Sequence, residues 1–319
     1  MNVSILQQQL NPAGRFALPV GFSPKNLIIE EQIVMAEHQP SFSLELTPLG
    51  ENSEQQALLQ SLPSWGALQP DFISITAHGG VERSYGADFE LATAVQQDLQ
   101  IPALVHIAGQ TWSPTTLKPY LEKLRAAELR HVLTIRGDEV FKNAEQQNFT
   151  TAANLAAFIR QVGGFDISGA CYPHLYHMPP TELPDDLHLL QAKLSSGMTR
   201  LITQLFFDNE VFFAWQRRVR SIGIGVPILA GIFPVTSLQQ KSRLKQLAGG
   251  SLPDQLNDQL AGVANDPAAV QAVGIDYAVN QIKDLLARGV DGIHLYTMNN
   301  LEVTQKIYQK TQAWFNKSK

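Results

Sequence analysis

Apolar residues along this chain gather in short runs, and each run is followed by a segment with helical spacing. Eight runs read as strands: SFSLELTP (41–48), DFISITAHG (71–79), IPALVHIAG (101–109), HVLTIRGD (131–138), DISGACYP (166–173), RLITQLFF (200–207), PILAGIFP (227–234) and GIHLYTMN (292–299). They are dominated by Ile, Val, Leu, Phe and Ala with weak alternation, as parallel strands covered on both faces are. Between them, Leu117, Leu121, Leu124 and Ala127 fall on one helical stripe. Phe213, Trp215, Val219 and Ile222 form another, and a last helix over 300–316 carries Val303, Ile307, Thr311 and Trp314. Helix starts have capping residues: Ser113 ahead of Pro114, Asp208-Asn209 before Glu210, and Asn299-Asn300 before Glu302. Gly197, Gly223 and Gly289 close helices before the next strand. Strand starts recur roughly every 30 residues, with one longer gap before the last, which predicts a parallel sheet. Eight units fit a (β/α)8 TIM barrel over residues 39–319, preceded by an N-terminal extension, residues 1–38. An open doubly wound sheet is the alternative, but no GxGxxG or P-loop follows the first strand. The longest irregular stretch, 249–267, is expected to lid a site.

Composition narrows the class. The chain has 319 residues, 44% hydrophobic and 17% charged, with net charge -5. No block of Lys and Arg suggests nucleic-acid binding. The single cysteine, Cys171, rules out an intrachain disulfide framework and cysteine-based zinc, and suits a reducing cytoplasm. No apolar run approaches the ~20 residues of a membrane span. The opening MNVSILQQQLNPAGRF lacks a cationic start and a long apolar core, so no signal peptide is expected.

In such barrels the active site lies at the C-terminal ends of the strands. There the runs deliver Glu45 and Thr47; Thr76 and His78; His106; Arg136, Gly137 and Asp138; Tyr172 and His174; Gln204 and Asp208; and His294, Tyr296 and Asn299. Glu45 lies between Leu44 and Leu46. Desolvating a carboxyl group favours its protonated form, which suits a general acid; pairing with an arginine or capping a helix is the structural alternative. Arg136-Gly137-Asp138 puts a cation and an anion around a residue with no side chain, where a flat or phosphorylated ligand can approach the backbone; a rim salt bridge is its alternative. Gln204 brings an amide into an apolar run, to be satisfied by a heterocyclic ligand or by the core itself. Tyr172 suits stacking on a ring system or ordinary rim packing. His78, His106 and His294, taken singly, read as structural or solvent-facing. No compact metal spacing, nucleophile elbow or Cys–His arrangement is present, so no metal is expected.

These residues resemble the methylenetetrahydrofolate reductase family over about Ser41 to Tyr308. SLELTP matches the family's S-F-E-F-F-P-P start and SITAHGG its S-V-T-Y-G-A-G segment. HVLTIRGD, ACYPHLYH, KLSSGMTRLITQLFFD, VPILAGIFPVTSLQQ and GIHLYTMNN carry the rest, and the spacing of ITQLFFD and GIFPVTS is the most specific. The resemblance implies an FAD-containing barrel, likewise (β/α)8. It reduces 5,10-methylenetetrahydrofolate to 5-methyltetrahydrofolate with NAD(P)H in ping-pong fashion, feeding methionine synthesis, in a homo-oligomer. It implies Glu45 as general acid and Asp138 as the aspartate that meets the pterin and tunes the flavin. Gln204 becomes the glutamine bonded to the pterin, and Leu260 holds the place of a substrate-stacking Phe. The implied flavin contacts are Thr76, Arg136, Gly137, Asp138, Tyr172, Asp186 and Lys193, with His106 the candidate on the third strand. The chain departs from the family at Ala103, where P-H-L-T-C has its histidine, at Ser195-Ser196-Gly197-Met198 for DAGA, at Glu139-Val140 for prolines, and at Asn300 for an arginine. Two other activities fit the same motifs: a paralogue oxidising methyltetrahydrofolate in a C1 demethylation pathway, and a flavin-free barrel binding folate or a partner protein.

Overall fold

The computed structural model describes residues 39–50, 53–77, 85–137, 149–173, 186–241, 244 and 252–315. The expected extension 1–38 lies outside the described residues, as do His78, Asp138 and His174 and the side chain of Asp186. Eight strands follow one another: β1 (Ser41–Leu46), β2 (Phe72–Ile75), β3 (Ala103–Ala108), β4 (His131–Ile135), β5 (Asp166–Cys171), β6 (Met198–Thr203), β7 (Ile228–Ile232) and β8 (Gly292–Tyr296). They pair in that order, all parallel, and β8 pairs back onto β1, so the sheet is a closed barrel. Each strand ends one to four residues before the end of the apolar run that predicts it. The polar residues at the run ends leave the ladder and build the rim.

The described helices are α1 (Ser53–Gly66), α2 (Tyr85–Gln97), α3 (Pro114–Ala126), α4 (Ala152–Val162), α5 (Asp186–Ser195), α6 (Asn209–Ser221), α7 (Asp254–Gly262), α8 (Pro267–Ala287) and α9 (Leu301–Thr311). The sequence caps hold: Ser113, Asp208 and Asn300 side chains accept backbone N–H groups of α3, α6 and α9. Gly197, Gly223 and Gly289 have φ of 110°, 84° and 78°, the left-handed region open to glycine. Three expectations are corrected. Ile222 is the exposed C-cap of α6, and Phe212 buries in its place. The last helix stops at Thr311, and Trp314 is exposed on a short 3-10 turn. Within 249–267 the chain forms α7, because Leu252, Leu256 and Leu260 at i, i+4 spacing bury against Leu205, Phe207, Phe233 and Val235.

Strand side chains alternate between helices and lumen. Phe42, Leu44, Leu46, Ile73 and Ile75 join the large outer core under the helices. The lumen floor is apolar, built from Phe72, Leu104, Leu133, Ile202 and Leu229. Above it the inward positions turn polar.

Candidate functional site

Pairing register assembles the polar layer. Glu45 lies level with Ser74 on β2 and Tyr296 on β8, and Ser43 level with His294. Glu45 Oε2 stands 3.7 Å from His294 Nε2 and 3.9 Å from His106 Nε2. The side chains are 15%, 1% and 8% exposed for Glu45, His294 and His106. Each imidazole is braced by a buried serine: Ser43 Oγ is 2.8 Å from His294 Nδ1, and Ser74 Oγ is 2.5 Å from His106 Nε2. Burial, opposed by the Glu45 charge and reinforced by His294, lowers the His106 pKa from 6.5 to about 4, so this imidazole is neutral at neutral pH. Among the described residues no cluster of three His, Cys, Asp or Glu is arranged to hold a metal ion.

Tyr296 crosses the lumen and donates its hydroxyl to Thr203 O at 2.8 Å. Gly231 makes room for it: a Cβ there would lie 2.3 Å from Thr203 O and 2.8 Å from Tyr296 Cε2. Burial, then the Glu45 charge, pushes the Tyr296 hydroxyl well above its ordinary pKa, so it remains a donor. The end of β1 is tied to the turn after β8. Asn299 Oδ1 accepts from Thr47 N at 2.9 Å, Asn299 Nδ2 donates to Thr47 O at 2.7 Å, and Thr297 Oγ1 donates to Glu45 O at 2.5 Å. Thr47 and Asn299, rim candidates in the sequence, thus hold Glu45 in place.

The remaining site residues line the same mouth from successive strands. Thr76 and Gly137 are half-buried just past β2 and β4, and Arg136 is exposed beside Gly137. Gly137 has φ 90°, and a Cβ there would stand 3.2 Å from Ala108 Cβ, so the end of β4 is kept bare and flat. Tyr172 follows β5, with Lys193 Nζ from α5 5.2 Å from its ring centroid. That ammonium also donates to Ala170 O at 2.8 Å. Gln204 lies one residue beyond β6, half-buried, rather than inside the strand. Its Oε1 accepts from Leu205 N at 2.9 Å, which answers one of its valences locally, and its Nε2 has no partner among the described residues. Asp208, the third rim carboxylate in the sequence, is the N-cap of α6. Leu260 is fully buried in the cluster under α7 and presents no surface to the mouth.

A family model described as methylenetetrahydrofolate reductase matches residues 30–312. The chain belongs to the methylenetetrahydrofolate reductase family. A 5,10-methylenetetrahydrofolate reductase from Pectobacterium carotovorum is 26% identical over 279 residues, which is 88% of this chain and 92% of the relative. Methylenetetrahydrofolate reductase (NADH) 1 from Arabidopsis thaliana is 27% identical over 281 residues, 83% of this chain and 47% of its own longer length. Among solved structures, a Clostridium thermocellum protein described as binding two copies of 5-methyl-5,6,7,8-tetrahydrofolic acid superposes with a TM-score of 0.60. It covers 89% of this chain and 99% of its own at 15% identity, a likeness of fold.

The fold also locates this methylenetetrahydrofolate reductase family member's departures. Ala103 opens β3, fully buried in the outer core, at the end of the strand opposite the rim. Its lack of a polar side chain therefore takes nothing from the mouth. Asn300 spends its side chain on the cap of α9, accepting from Val303 N at 3.1 Å. What sequence reading missed was the meeting of His106, His294 and Glu45. The signal was present as polar residues at alternate positions: Ser43 and Glu45, Ser74 and Thr76, His294 and Tyr296. Their level depends on strand register, which one sequence does not display.

Proposed function

We propose that this protein catalyses FAD-dependent reduction of 5,10-methylenetetrahydrofolate to 5-methyltetrahydrofolate with NAD(P)H, feeding methionine synthesis. The observation that carries the reading is Glu45: a carboxyl group at the C-terminal end of β1, nearly enclosed, flanked by two imidazoles and open only to the mouth. The mouth fits a flavin dinucleotide in kind. It offers a bare glycine edge at Gly137, an aromatic face at Tyr172, a hydroxyl at Thr76 and cations at Lys193 and Arg136, which suit a flat ring and a pyrophosphate. When bound, FAD supplies hydride transfer, from the nucleotide and then to the folate methylene carbon.

The chain's own residues do the rest. As the methylene carbon takes a hydride, its bond to one folate nitrogen breaks, and that nitrogen needs a proton. Glu45 is placed to give it. The Gln204 amide nitrogen, without a partner among the described residues, is available as a donor to a pterin acceptor.

Flavin absorption of the purified protein and NAD(P)H oxidation dependent on methylenetetrahydrofolate test the reading. Colourless protein without turnover ends it. Turnover confined to methyltetrahydrofolate oxidation assigns the demethylating activity instead.

A further inference from the structure

His106 stands apart from the other residues of the mouth. It sits inside the lumen rather than on the rim, 8% exposed, with its Nε2 shared between Ser74 Oγ at 2.5 Å and Glu45 Oε2 at 3.9 Å. His294 Nε2 approaches the same carboxyl oxygen from the other side at 3.7 Å.

We propose that His106, braced by Ser74, is a positioning residue for Glu45. With His294 it flanks Oε2 with ring nitrogens 3.7 and 3.9 Å away, and as a neutral ring it leaves the carboxyl free to keep the proton it is to pass to the folate. The role rests on the reading of Glu45 as proton donor. A neutral imidazole has one N–H and one bare nitrogen. Where the Ser74 hydroxyl donates into Nε2, it occupies that nitrogen's one lone pair, so a neutral His106 neither gives Glu45 a proton nor takes one from it. The groups facing His106 are Glu45 from β1, Ser74 from β2 and His294 from β8, with no cationic side chain paired to it among the described residues. Burial in this company keeps the imidazole neutral. A charged His106 would hold Glu45 as the carboxylate, the form useless to an acid.

Two measurements on the purified full-length protein test this. In the first, histidine ring resonances are followed by NMR against pH, and His106 is assigned by its loss in His106→Gln. His106 is expected to stay neutral into mild acid, and Glu45→Gln to lower its titration midpoint further, because the Glu45 charge raises it. In the second, reoxidation of the reduced flavin by methylenetetrahydrofolate is timed across the neutral pH range. His106→Gln is expected to slow it about tenfold, part of the ~10²–10⁴ a positioned acid supplies, and to change the shape of its pH profile. Identical His106 titration in wild type and Glu45→Gln overturns the proposal, as does a His106→Gln profile that superimposes on wild type after scaling. Absence of folate-driven reoxidation in the unaltered protein overturns the reductase reading, and the positioning role with it. Unaltered coupling in a protein that does turn over overturns the positioning role alone.

Discussion

Two side chains decide whether the mouth is a folate site. Glu45→Gln keeps the shape of the carboxyl and removes its proton. Folate-driven reoxidation of the flavin is expected to fall by ~10²–10⁴, read by stopped-flow absorbance. Gln204→Ala tests an amide that is only half occupied locally. Removing one neutral hydrogen bond costs about 1 kcal/mol, so KM for folate is expected to rise severalfold with FAD content unchanged. Loss of FAD or of folding would instead make Gln204 a core amide. At this scale the sequence was informative wherever one side chain carries its own oddity, such as a carboxylate between two leucines. It was silent where function lies in company. Each histidine alone reads as structural, and only the parallel register places two of them on one carboxyl oxygen.

Strands and helices were legible where periodicity is strong. The stripe Leu117, Leu121 and Leu124 is fully buried in α3, as spacing predicts. Strand ends were not, because a rim residue belongs to the apolar run in sequence and to a loop in space; Gln204 is the example. Gly231 tests how tightly the elements of the lumen fit. Gly231→Ala drives a methyl into Thr203 O and the Tyr296 ring and is expected to cost about 1–3 kcal/mol or more, seen as a lower denaturation midpoint. At the other end of the barrel, Asp166 on β5 holds His131 of β4 at 3.2 Å. That bond first, then Thr199, keeps the Asp166 carboxyl at about 2 rather than 3.8, against a desolvation cost. Its folded value is depressed, so its stabilisation is complete above about 3.8 and is lost as pH falls towards 2. Asp166→Asn is expected to flatten the acid limb of the denaturation midpoint in that window.

For the whole molecule, acid sensitivity should begin earlier, at the lumen. His106 titrates at 6.5 when unfolded and at about 4 when folded, so the unfolded chain takes the proton first. Stability is then full above about 6.5 and declines as pH falls towards 4. The thermal midpoint is expected to drop across that window in wild type and less in His106→Gln. The barrel was legible as a count of repeating units, whereas the register that closes it, between the first strand and the last, was not. That closure also bears on how the chain folds. The bonds between Thr47 and Asn299 join residues 252 apart, and β8 emerges last from the ribosome. Until then β1 and β7 are open strand edges, able to pair with other chains, and the Glu45 chamber lacks a wall. A contact of such long range makes for slow folding, so a nascent chain stalled before β8 is where aggregation should begin.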